Sequence, residues 1–214
     1  MVTNYRETVS GITHLIAAVF AGMGLIWLVY ITRDNPVQLF VMLVYGISLI
    51  GVFSASARMH LSNGSPDYMV RLRKHDHAAI YFVIAGTYTP MVVLLIDGVW
   101  QLIVLAAIWG MCLFGAYWKL SRLEGCESSR SSTLIYLLVG WFAVICAPLW
   151  VGQLDFVTLG LIAAGGVVYS IGAVVFITKR PNLARHFGFH ELWHIIVMIA
   201  SLLHFLAIAR LVTS

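Results

Sequence analysis

Close to its C-terminal end the chain reads Phe187-Gly188-Phe189-His190-Glu191-Leu192-Trp193-His194, and then runs on as IIVMIASLLHFLAIARLV, long enough to enter a bilayer. Ionisable groups in lipid are costly and mark sites. His190 and His194, at i and i+4, project from one helix face about 6 Å apart in rise, a spacing that lets two imidazoles hold one metal ion. Earlier in the chain, Ser56-Ala57-Arg58-Met59-His60 places Ser56 and His60 on one face of a second apolar segment, and Lys74-His75-Asp76-His77 opens a third. Two histidines from one helix, a third from another and a carboxylate from a third helix predict a three-ligand Zn2+ site. Asp76 would stand near its open position, where zinc lowers the pKa of water toward about 7.

The remaining histidines fit that site less well. His204 is 14 residues beyond His190, roughly 21 Å along a helix axis and too deep to share the ion. His14 starts the first apolar run at a suitable depth, as a second layer around the ligands or as packing. His186 extends the i, i+4 stripe outward to a helix start or solvent. His75 and His77 flank Asp76 and, at about 100° per residue, cannot both face its way. A histidine at a helix end also contacts headgroups or packs through a hydrogen bond, so the pattern gains its force from the match in depth.

His190 to His194 also spells HExxH, the zinc-protease pattern in which the glutamate is the general base. An intramembrane metalloprotease would draw a third ligand from an aspartate such as Asp97, in Leu95-Ile96-Asp97-Gly98. That residue falls at the opposite membrane face, and the order of the two motifs is reversed relative to site-2-type proteases. Glu191 in a first helical turn suits the helix dipole. The protease remains a minor alternative.

The elements that position these residues must be membrane spans. Of 214 residues, 61% are hydrophobic and 10% charged, with mean hydropathy +0.92, too apolar for a soluble domain. No polar stretch is long enough to fold separately. The first run, Ile12 to Ile31, exceeds a signal-peptide core and lacks a small-residue cleavage site, so a retained helix is expected. Cys112, Cys126 and Cys146 form no CxxC pair, which supports neither a disulfide framework nor a cysteine metal site.

A bilayer core of about 30 Å takes about 20 residues per helix. Runs of that size fall at 12–32, 37–59, 76–96, 99–118, 134–152, 156–178 and 188–211, predicting one domain, an all-α seven-transmembrane-helix bundle. They are apolar all round, unlike the alternating strands of a membrane barrel. The breaks at Asp97-Gly98 and at 152–155 predict tight helical hairpins. Pro90, four residues after Gly86, predicts a kink in the third span, with Thr87, Tyr88 and Thr89 satisfying freed backbone groups or lining a cavity. Eleven of the 13 lysines and arginines fall on the N-terminal side of the spans and only Arg33 and Arg210 on the other. The N-terminus is therefore expected in the cytoplasm and the C-terminus outside. The net charge of +4 is a topology signal in contact with anionic lipid, and no nucleic-acid partner is implied.

Four motifs, in order and at matching spans, carry a family resemblance: the SxxxH of Ser56 and His60, DHAAI at 76–80, AGTYTP at 85–90, and the HxxxH of His190 and His194. Over essentially its whole length the chain resembles the bacterial hemolysin III family, within the progestin and adipoQ receptor superfamily and, more distantly, akin to alkaline ceramidases. The resemblance implies a seven-helix fold with a cytoplasmic N-terminus in the bacterial inner membrane. It implies zinc on His60, His190 and His194, Asp76 near the zinc-bound water and Ser56 beside it. It assigns nothing to Glu191.

Two functions stay open at this point. One is a zinc-dependent hydrolase of a lipid amide or ester, with Asp76 as base and membrane lipids as substrate, acting in lipid homeostasis. The other is a non-enzymatic lipid-state sensor, or a membrane-permeabilising protein, with structural zinc. Four-ligand closure favours the second, an open position the first.

Overall fold

A computed structural model describes residues 5–121, 130–184 and 187–213. Cys126, Arg122, Arg185 and His186 lie outside the described residues, and so does the role expected for His186.

Among the described residues, eight α-helices build seven spans: α1 (Tyr5–Thr32), α2 (Pro36–Leu61), α3 (Pro66–Leu95), α4 (Gly98–Ser121), α5 (Arg130–Gly140), α6 (Phe142–Cys146), α7 (Phe156–Thr178) and α8 (Phe189–Thr213). The unbroken ones contain 23–30 residues, about 35–45 Å of helix, enough to cross the hydrocarbon core with a turn to spare. Seven helices qualify as spans by length and hydropathy, and no strand occurs among the described residues.

The connections follow turn and cap chemistry. Asn35 caps α2 by accepting from the Val37 and Gln38 amides, with Pro36 in the first turn. Ser65 and Pro66 do the same for α3, where the Ser65 hydroxyl accepts from the Tyr68 amide at 3.3 Å. The α3–α4 turn is as short as expected. Gly98 takes φ +66 there, a conformation that favours glycine.

Two features differ from the sequence expectation. The third span starts at Pro66, ten residues before 76, so Asp76 sits inside the helix and not at its start. The polar run Asp67 to Lys74 is too hydrophilic for lipid, yet it continues the helix beyond the apolar boundary. The fifth span is broken: α5 ends at Gly140, α6 is short, and 3-10 turns at Ala147–Leu149 and Val151–Gln153 complete it. A break inside lipid frees carbonyls that need partners. The Tyr88 hydroxyl donates to the Gly140 carbonyl at 2.7 Å. Thr87 and Thr89, either side of it, bond back to the Val83 and Ala85 carbonyls, at 2.7 and 2.8 Å, in the turn before Pro90. None of these bonds goes to Gly86, the carbonyl that Pro90 leaves without its helical donor, so the backbone role falls to Tyr88 alone, and at the break in the fifth span instead of at the proline.

Sequential helices pack as neighbours, and α8 returns to α1 and reaches α3. One buried cluster joins α1, α2 and α8 around Leu28, Val41, Tyr45 and Ile208; a second joins α3, α4 and the fifth span around Tyr81, Ala85, Ile108 and Cys112. Large apolar side chains such as Phe20, Phe114 and Phe156 are exposed on the outer surface, as lipid-facing positions require.

Candidate metal centre

The α2 C-terminus and the α8 N-terminus meet at one end of the bundle. His60 is in the last turn of α2, and His190 and His194 are in the first two turns of α8. Their Nε2 atoms converge: His190 to His60 is 3.4 Å, and His194 to His190 is 3.1 Å. All three ligand atoms lie within 4.8 Å of one another, close enough to hold a metal ion. Imidazoles holding an ion at 2.0–2.1 Å in a tetrahedron place their nitrogens roughly 3.3–3.4 Å apart, close to the two spacings that His190 makes. Hydrogen bonding alone does not account for it. The His190 Nε2 faces two other Nε2 atoms, and each neutral ring has one donor and one acceptor nitrogen. No fourth histidine, cysteine or carboxylate joins the group among the described residues.

Around the three, burial is deep. His194 is fully buried and His60 is 8% exposed. Their Nδ1 atoms have no protein partner, so the nitrogens turned away from the centre are not what fixes the rings. Packing does: His60 lies edge-on to His190 and His194, and Trp193 and Phe176 flank His190.

Ser56 is buried one turn before His60 on α2, and its side chain meets the Asp76 carboxyl across the α2–α3 contact. Asp76 is not among the converging ligand atoms. Asp76 is on α3; it is Ser56 that stands one helical turn, about 6 Å in rise, along α2 from His60. His75 is exposed and His77 buried, facing different ways as their spacing requires. His204 is spent on the Ile162 carbonyl, 3.2 Å away. Asp97 closes the opposite end of α3, 21 residues and roughly 30 Å of helix from Asp76, which gives no support to a protease-like ligand set.

α1 supplies two groups. His14 is 3% exposed, and its ring stacks on His194 with centroids 3.8 Å apart. Ser10, one turn earlier, reaches Glu191. The sequence reading missed Ser10. Its signal was the i, i+4 step to His14, which puts both on the face of α1 that meets α8.

The chain matches the Haemolysin-III related family over residues 2–205. It is 29% identical to a protein named Hemolysin-3 from Bacillus cereus over 205 residues, 95% of this chain and 90% of that one. It is 26% identical to a Hemolysin-3 homolog from Bacillus subtilis (strain 168) over 200 residues, 92% of this chain and 90% of the relative. With seven apolar spans and a match along nearly its whole length, the chain is an integral, multi-pass membrane protein that belongs to the Haemolysin-III related family.

Proposed function

We propose that the protein is a zinc-dependent hydrolase of a membrane lipid amide or ester, acting at the cytoplasmic leaflet of the bacterial inner membrane and serving lipid homeostasis. The observation that carries this reading is the convergence of three imidazole nitrogens with no fourth ligand in their group among the described residues. Three nitrogens and an open position are the pattern of catalytic zinc, whereas structural sites close with four protein ligands. Bound zinc would supply an acidified water and polarise a carbonyl. His60, His190 and His194 would hold the ion, Asp76 would take up the proton of the attacking water, and Ser56 would orient the Asp76 carboxyl. A site at the end of the bundle puts these groups at the depth of headgroup linkages, and the buried rings keep bulk water away.

The relatives' name, Hemolysin-3, favours a second reading, a permeabilising protein with structural zinc. Purified protein incubated with a panel of ceramides, acyl amides and glycerolipids, with and without chelator, separates the two. Release of fatty acid that chelator abolishes and zinc restores is expected. Absence of turnover on every lipid, with chelator-insensitive dye leakage from vesicles, would overturn the hydrolase.

A further inference from the structure

Glu191 is the one charged residue of the HExxH pattern, and the function above gives it no part. It is 3% exposed. Its Oε2 accepts from the Gly188 amide at 2.7 Å, and its Oε1 from the Ser10 hydroxyl at 3.4 Å. The Leu192 amide bonds the Gly188 carbonyl at 3.1 Å, so Gly188 is the cap of α8 and Glu191 the third residue of its first turn. A glutamate there that reaches back to the cap amide is half of a capping box. Here the second oxygen leaves the helix and ties it to α1.

The neighbours of Glu191 in sequence and space are the candidate ligands. It adjoins His190 in the first turn of α8, and His14, one turn beyond Ser10, stacks on His194. The first turns of α8 are thus held against α1 at two points, while His190 and His194 face α2. Both atoms bonded to its carboxyl oxygens are donors. No Lys or Arg pairs with it among the described residues. A buried anion in a span is costly, and a divalent cation on the adjacent histidines would offset that cost.

We propose that Glu191 is a positioning residue of the metal centre: it sets the first turn of α8 against α1 and places a negative charge beside the ion. It is not the general base, since both its oxygens are turned to Gly188 and Ser10. This rests on the reading of the three histidines as a zinc site.

The test is a chelator competition on wild type, Glu191→Gln, Glu191→Asp, Glu191→Ala and Ser10→Ala in detergent, with the melting of the metal-stripped forms measured in parallel. Removing groups that support metal ligands typically lowers affinity 10–100-fold. Glu191→Gln keeps an acceptor for the Gly188 amide but not the charge. It should bind zinc within that range more weakly while melting as the metal-stripped wild type does. Glu191→Asp should bind more tightly than Glu191→Gln, and Ser10→Ala should lose a few-fold. Glu191→Gln or, if it does not fold, Ser10→Ala holding zinc as tightly as wild type would overturn the inference and leave a plain helix cap. So would Glu191→Asp binding no better than Glu191→Gln. Those results leave the zinc site standing, whereas wild-type protein with no zinc would overturn both.

Discussion

At the residue scale, the pair Ser56 and Asp76 decides between enzyme and sensor. With α3 beginning at Pro66, Asp76 lies three turns inside a helix, and a helix-start role in the macrodipole no longer explains an acid there. Asp76→Asn keeps the shape and can still meet Ser56, but it cannot take up a proton. Loss of a general base costs about 10²–10⁴-fold in rate. The variant should hold about one zinc per chain by elemental analysis, melt as wild type does, and be inactive. Undiminished turnover would remove Asp76 from the chemistry. A His190→Ala, His194→Ala variant leaves only His60 and should lose the zinc; wild-type metal content there would place the ion elsewhere. The three histidines were legible because an i, i+4 pair and a shared depth constrain where imidazoles can meet. Ser10 and Glu191 were not, because a contact across 181 residues depends on which spans become neighbours, and hydropathy carries no such information.

At the scale of elements, hydropathy located all seven spans and misjudged where two of them end or break. The start of α3 is written in Ser65-Pro66-Asp67, a cap followed by a first-turn proline and acid; the charges that follow conceal it from a search for apolar runs. The break in the fifth span is marked by Gly140, where α5 ends, and by Pro148 in the first 3-10 turn, which a search for apolar runs passes over; Tyr88 on another helix stabilises it. The α2–α3 contact that carries Ser56 and Asp76 is itself tight. A Cβ added at Gly86 would lie 2.1 Å from the Ser48 Oγ and 2.7 Å from its Cβ. A hydroxyl rotates away, but a Cβ does not, so Gly86→Ala must part the helices. Overpacking of this kind costs about 1–3 kcal/mol, readable as a lower melting temperature in detergent. Ser48→Gly in the same chain should recover much of it, a coupling expected of touching residues. A neutral Gly86→Ala would mean the helices are farther apart.

The far end of the bundle makes a different prediction. Asp155 caps α7 and pairs with Arg210 of α8 at 3.1 Å. The Thr158 hydroxyl first, and then the Thr158 and Val157 amides and Arg210, hold its carboxyl down at about 2. A carboxyl lowered from the usual value near 3.9 contributes stability that is complete above that value and lost as pH falls through about 2. Asparagine caps equally well, so Asp155→Asn isolates the charge. The variant should melt below wild type at pH 7 and converge with it only near pH 2. Both side chains are well exposed to solvent, so the gap is small. Convergence already between pH 5 and 4 would contradict the pairing.

For the whole molecule, orientation decides which leaflet the histidines address. Eleven of the 13 basic residues fall on the N-terminal side of the spans, so the positive-inside rule predicts a cytoplasmic leaflet for the end of the bundle where the three histidines meet. A C-terminal reporter that works only in the cytoplasm should therefore stay silent, and one that works only outside should be active. The reverse pattern would move the site to the outer leaflet and with it the class of headgroups within reach. The closing of the bundle by α8 against α1 and α2 also orders events in time. His60 leaves the ribosome 130 residues before His190, roughly 7–26 s earlier at 5–20 residues per second. Throughout that interval the chain carries one imidazole of the three, so an ion that needs all of them could be taken up only once α8 has joined the bundle.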